Sequence, residues 1–152
     1  MNTNEIIAAL NELIRICNDG EEGFKTCIED ASDRHPQLKT ILDQCQHECS
    51  VAVADLRNII QAQGGTPEVA LSVGAALNRG WLDVRTAIIG KNDEAVLNVC
   101  ERAQNNAIEH YRKTLEMDLP TEIRMVIERQ YQEFLRSRDK IKYLHKEIRI
   151  DA

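Results

Sequence analysis

The sequence predicts an all-α four-helix bundle, built as two antiparallel helical hairpins joined by one long crossover. Apolar residues recur at helical spacing through four long stretches, and no stretch alternates apolar and polar residues as a half-buried strand would. Pro36, Gly64-Gly65, Gly90 and Pro120 fall between those stretches, where helices start and stop. With aromatic residues at only 4%, aliphatic side chains must fill the interior, which suits helix-on-helix packing. A chain of 152 residues forms one domain by length, residues 1–152, and is long enough to bury a core without disulfide or metal staples.

The first helix starts near Asn2, where Asn2 and Glu5 have capping-box spacing, and buries Ile6, Leu10, Leu13, Ile14, Cys17, Phe24, Ile28 and Ala31. Gly20 and Gly23 inside it mark a bend or a close helix approach, since each weakens a helix by about 1 kcal/mol relative to Ala. The polar Asp30–His35 stretch and Pro36 form a turn, and the second helix carries Leu38, Ile41, Leu42, Cys45, Cys49, Ala52, Leu56, Ile59 and Ile60 inward. Thr66-Pro67-Glu68 begins a further segment in which Leu77, Trp81, Val84 and Ile88 share a stripe. Asn92-Asp93-Glu94 then caps the third long helix, whose inward stripe of Val96, Val99, Cys100, Ala103 and Ala107 also carries Asn106 and His110. After Asp118-Leu119-Pro120, the last helix turns Ile123, Val126, Ile127, Gln130, Phe134, Ile141, Leu144 and Ile148 inward, with Lys142, Lys146 and Arg149 near its C-terminal end.

Roughly two dozen residues separate the hairpins, far more than the two to eight usual between bundle helices. A link of that length crosses the bundle and carries a short helix from Leu77 to Ile88, which is the ferritin-like connectivity. Counting residues at about 1.5 Å each from the turns places Glu21, Glu48, Asn106 and Gln130 in one layer. Ferritin-like carboxylate proteins hold two metals at that level, using one Glu from each of two helices and a Glu-x-x-His from each of the others. Ser32, Gln44, Ala107 and Lys142 stand three residues before the four histidines, so this motif is absent. What remains is a single iron or manganese site of Glu21, Glu48 and His110, with Glu101 as an outer carboxylate, or a hydrogen-bonded polar layer that fixes helix register. His47 falls on the side of its helix opposite Cys45 and Cys49 and is read as solvated. His35 is a turn residue, and His145 lies at the margin of its stripe.

A net charge of −6 disfavours nucleic acid and anionic membrane as partners. Met1-Asn2-Thr3-Asn4-Glu5 lacks the basic start of a secretory signal and no window has the length of a membrane span, so the expected compartment is the cytoplasm. Five cysteines at helical apolar positions read as reduced core residues. Trp81 covers the flank of the bundle or, with Arg79 and Arg85, forms an oligomer contact.

Asn18-Asp19-Gly20 with Gly23-Phe24, then Arg79-Gly80-Trp81-Leu82-Asp83, Cys100-Glu101-Arg102, and Asp118-Leu119-Pro120 ahead of Glu128-Arg129-Gln130 resemble the ferritin-like bacterial bundles classed as a conserved domain of unknown function. That resemblance implies a ferritin-like fold in a bacterial cytoplasmic protein, associated by analogy with stress response, and it brings no established activity. Members of the family tend to have Gly-Glu-Asp after the Glu-Arg step, where this chain has Ala103, Gln104 and Asn105 and so lacks two carboxylates. The expected function is non-catalytic association, as a homo-oligomer or with another protein. The alternative is an iron or manganese oxidoreductase or storage protein.

Overall fold

Four long helices account for most of the protein in the computed structural model, which describes residues 2–67, 81 and 93–151. They are α1 (Thr3–Asp30), α2 (Pro36–Ala62), α3 (Asp93–Leu115) and α4 (Thr121–Asp151). Each starts and stops for a local reason. Asn2 accepts the Glu5 N–H at 2.8 Å and so caps α1. Pro36 opens α2, where its missing N–H leaves no bond unmade. At the other end of α2, Gly64 takes φ +82°, its N–H donates to Gln61 O, and Gly65 N–H donates to Ile60 O at 2.9 Å. That pair of bonds is a Schellman stop, which needs the left-handed residue that glycine supplies. Arg124 closes α3 by donating to the carbonyl of Leu115, an oxygen without a partner inside the helix, and to that of Met117 in the turn beyond it.

Side-chain pairings give the helix directions. Along α1 and α3, Cys17 meets Tyr111, Cys27 meets Cys100 and Ser32 meets Asp93, so the two run antiparallel. Along α2 and α4, Gln44 meets Lys140, Glu48 meets Ser137 and Ala52 meets Gln130, again antiparallel. With α1 against α2 and α3 against α4 as the remaining neighbours, the chain runs up, down, down, up from α1 to α4, so that every adjacent pair around the square is antiparallel. The end of α2 lies beside the start of α1, where Asn11 donates to Thr66 O and Gly65 packs on Ile7. The start of α3 lies at the opposite end, against the α1–α2 turn. The link between α2 and α3 therefore joins opposite ends of the bundle, a distance of about 40 Å for helices of this length. That is the one-crossover connectivity expected from the sequence. The expected Leu77–Ile88 helix lies outside the described residues, apart from Trp81.

The core is continuous and mostly aliphatic, with Leu10, Ile14, Leu38, Leu42, Leu56, Ile60, Leu97, Ile127 and Ile141 fully buried. Gly20 and Gly23 are points of close approach. A Cβ on Gly20 would come within 2.8 Å of Cys49 Sγ, and one on Gly23 would meet the Trp81 ring. Among the described residues, no helix is long and apolar enough to cross a membrane.

Candidate functional site

Polar groups enter the bundle core at three levels, and the one nearest the α3–α4 turn closes on itself. Tyr111 OH donates to Gln130 Oε1 at 2.8 Å and lies 3.4 Å from Cys17 Sγ, while Gln130 Nε2 reaches Ala52 O at 3.5 Å. Both Tyr111 and Gln130 are fully buried, and the Tyr111 ring meets Phe134 edge-on at 5.1 Å. The network is neutral, because burial pushes the Tyr111 hydroxyl well above its usual range and the Cys17 thiol up to about 12.

Two turns away along α3 and α4, Ser137 donates to Glu48 Oε1, and Gln104 Nε2 lies 3.8 Å from Cys45 Sγ. Burial pushes the Glu48 carboxyl upward; Glu133 adds to this, while the Ser137 bond, Lys140 and Arg136 oppose it. Around these side chains is a cavity of about 30 Å³, lined by Cys17, Cys45, Cys49, Phe24, Trp81 and Phe134 among others. Gln104 lines it too, and its Oε1 has no hydrogen-bond partner.

At the end of the bundle, Asp93 ties α3 to the α1–α2 turn. It accepts the Ser32 backbone N–H at 3.2 Å and the Ser32 hydroxyl at 2.6 Å, and its Oδ2 lies 2.8 Å from His35 Nδ1. Burial alone would raise the Asp93 carboxyl, but the bonds from Ser32 and His35 outweigh it and hold the group below the usual carboxylate range. An acid held lower in the folded state stabilises the fold above its unfolded value, about 3.8, and that contribution fades as pH falls through the lower, folded value. Asp93→Asn is accordingly expected to lower stability at neutral pH and to flatten the stability profile on the acid side, as read by urea unfolding at a series of pH values. A parallel offset at every pH would show that Asp93 acts by shape alone.

The expected metal set does not converge. Glu21 accepts from Ser50 Oγ at 3.3 Å on the outer α1–α2 groove, beside Asp43 and His47. Glu48 stands on the α2–α4 seam, and His110 is half-buried with its Nδ1 2.9 Å from the Asn106 carbonyl one turn back in α3. No group of three His, Cys, Asp or Glu side chains arranged to hold a metal occurs among the described residues. The expected inward pair on α3 is corrected as well: Asn106 and His110 are half-buried, and Gln104 and Tyr111 occupy the core instead. His145 is also not marginal. It is buried, with Nδ1 3.2 Å from Glu101 and Nε2 3.5 Å from Glu94, a residue that also pairs with Arg149. His47 is exposed and His35 lies in the turn, as the sequence indicates.

All five cysteines are free and buried. Cys27 and Cys100 touch at 4.0 Å, and burial pushes the Cys45 thiol up to about 12. Thiols held protonated this far above neutrality are poor nucleophiles. In the native protein a thiol-specific aromatic disulfide reagent should release no rapid equivalent, and in denaturant it should find all five. A fast native equivalent would reveal an accessible thiolate.

A family model described as a domain of unknown function, DUF2383, matches residues 5–117. The match runs from α1 to the end of α3 and includes the Asn18-Asp19-Gly20 and Cys100-Glu101-Arg102 segments; Asp118-Leu119-Pro120 and Glu128-Arg129-Gln130 lie beyond it. No curated protein matches the chain.

Proposed function

The chain belongs to the DUF2383 family of unknown function, and on that footing we propose a non-catalytic ferritin-like bundle that acts by association, with itself or with another protein, in the bacterial cytoplasm and under stress. The observation that carries this reading is the neutral layer of Tyr111, Gln130 and Cys17. Where carboxylates and imidazoles would have to converge on a metal, Tyr111, Gln130 and Cys17 satisfy one another. Three carboxylates near the core are engaged elsewhere: Glu48 by Ser137, Glu101 by His145 and Asp93 by Ser32 and His35. Iron or manganese chemistry through Glu21, Glu48 and His110 does not fit, since those side chains stand on separate seams. An outer face with Tyr143 two-thirds exposed above Ile41 and Leu144 offers the aromatic and aliphatic surface that association uses.

The test is metal analysis of protein freshly purified from iron- and manganese-supplemented cells, run beside size-exclusion chromatography with light scattering. The expected result is an assembly larger than one chain, unchanged by exhaustive chelation, with metal far below one equivalent. Near-stoichiometric metal that disappears in Glu48→Ala or His110→Ala would overturn the proposal, as would a strictly monomeric protein that captures no partner.

A further inference from the structure

The cavity between the helices has one polar atom in its lining left without a partner. Gln104, only 7% exposed, lines it with an Oε1 that no protein group satisfies. Glu48 and Ser137 supply further oxygens, with the serine hydroxyl already donating to the carboxylate. Among the described residues, no lysine, arginine or histidine lines the cavity. Lys140, Arg136 and Glu133 act on Glu48 from outside it. The remaining wall is aromatic, sulfur and aliphatic, with Trp81 and Phe24 in edge-to-face contact at 4.9 Å and Phe134 beside them.

We propose that this cavity binds a small ammonium ion, either ammonium itself or the head of a primary amine. A buried amide oxygen without a donor, a carboxylate and aromatic faces are together the chemistry that recognises a compact cation carrying N–H groups. The volume agrees. About 30 Å³ holds one small ion with a water, given that a water needs roughly 10–15 Å³. Such an ion donates to Gln104 Oε1, to Glu48 and to the Ser137 oxygen, which satisfies the orphaned amide and replaces the water that burial strips from the carboxylate.

Trp81, the sole tryptophan, reports on this site directly. The experiment follows its emission while ammonium, methylammonium, potassium or tetramethylammonium chloride is titrated at constant ionic strength. The expected result is a saturable change with ammonium and methylammonium, and none with potassium or tetramethylammonium, which carry no N–H. Gln104→Leu should weaken the ammonium response about tenfold, the loss expected of one hydrogen bond to a charged group, while leaving the helical circular dichroism unchanged. Ammonium alone responding would confine the site to the free ion; methylammonium responding as well would extend it to amine heads. An equal response to all four salts, an equal response to potassium, or no response in the wild-type protein would each overturn the assignment.

Discussion

Gly23→Ala should lower the stability of the protein by about 1–3 kcal/mol, the usual range for forcing extra volume into a packed interior. On an exposed helix the same substitution would stabilise by about 1 kcal/mol, because alanine is the better helix former. The sign differs here because an added Cβ would lie 2.2 Å from Trp81 Cδ2 and 2.5 Å from Cε2 and Cε3. A fused ring pinned against Phe24 cannot swing one atom aside as a flexible side chain would, so the whole indole must move. Two readouts separate this account from a generic loss. Trp81 emission should shift to longer wavelength as the ring leaves its buried seat, since its exposure is only 3%. In a Trp81→Ala background, itself expected to be about 3–5 kcal/mol less stable, Gly23→Ala should become neutral or stabilising. The resulting coupling of about 1–3 kcal/mol is what a cycle detects between residues in direct contact. Simple additivity in that cycle would mean that Trp81 does not rest on Gly23.

Much of this architecture is legible in the sequence, for a physical reason. Burial of one face writes a 3.6-residue period into each helix, and the stripes of α1, α2 and α4 reproduce the observed core, with Ile28, Ile41, Ile59 and Val126 half-buried at its edge. The length of the connection was enough to give the helix directions, because a link of that span is needed only when it joins opposite ends. On α3, helical phase and not spacing decides which residues face the core. At about 100° per residue, Tyr111 lies only about 20° around the helix from Cys100 and Gln104 about 40°, whereas His110 lies about 80° and Asn106 about 120° away. A stripe followed by spacing alone drifts by one residue over three turns, which is enough to exchange His110 for Tyr111. Other features had no local signal at all. Glu48 finds Ser137 across 89 positions and Asp93 finds Ser32 across 61, and these partnerships depend on the relative heights of helices set by the whole bundle.

Tyr111→Phe is expected to cost about 1–3 kcal/mol, although it removes a single oxygen and retains the edge-on contact with Phe134. Its effect comes from what is left behind. Gln130 is 2% exposed, and without the tyrosine hydroxyl its Oε1 has no donor, while its Nε2 holds only the long 3.5 Å contact to Ala52 O. The penalty is therefore the desolvation of an orphaned acceptor, and it should vanish when the acceptor is removed too. Gln130→Met in the Tyr111→Phe background replaces both partners with apolar groups of similar shape, and should recover most of the lost stability. Gln130→Met alone should cost less than Tyr111→Phe, because the tyrosine hydroxyl keeps a partner in Cys17 Sγ, 3.4 Å away. Urea midpoints for the four proteins test this, provided the slopes agree so that midpoints report stability. If the two single losses simply add in the double variant, the layer is a set of independent contacts. If the double variant matches wild type, the network fixes helix register at little net gain in stability, as a neutral polar layer inside an aliphatic bundle should.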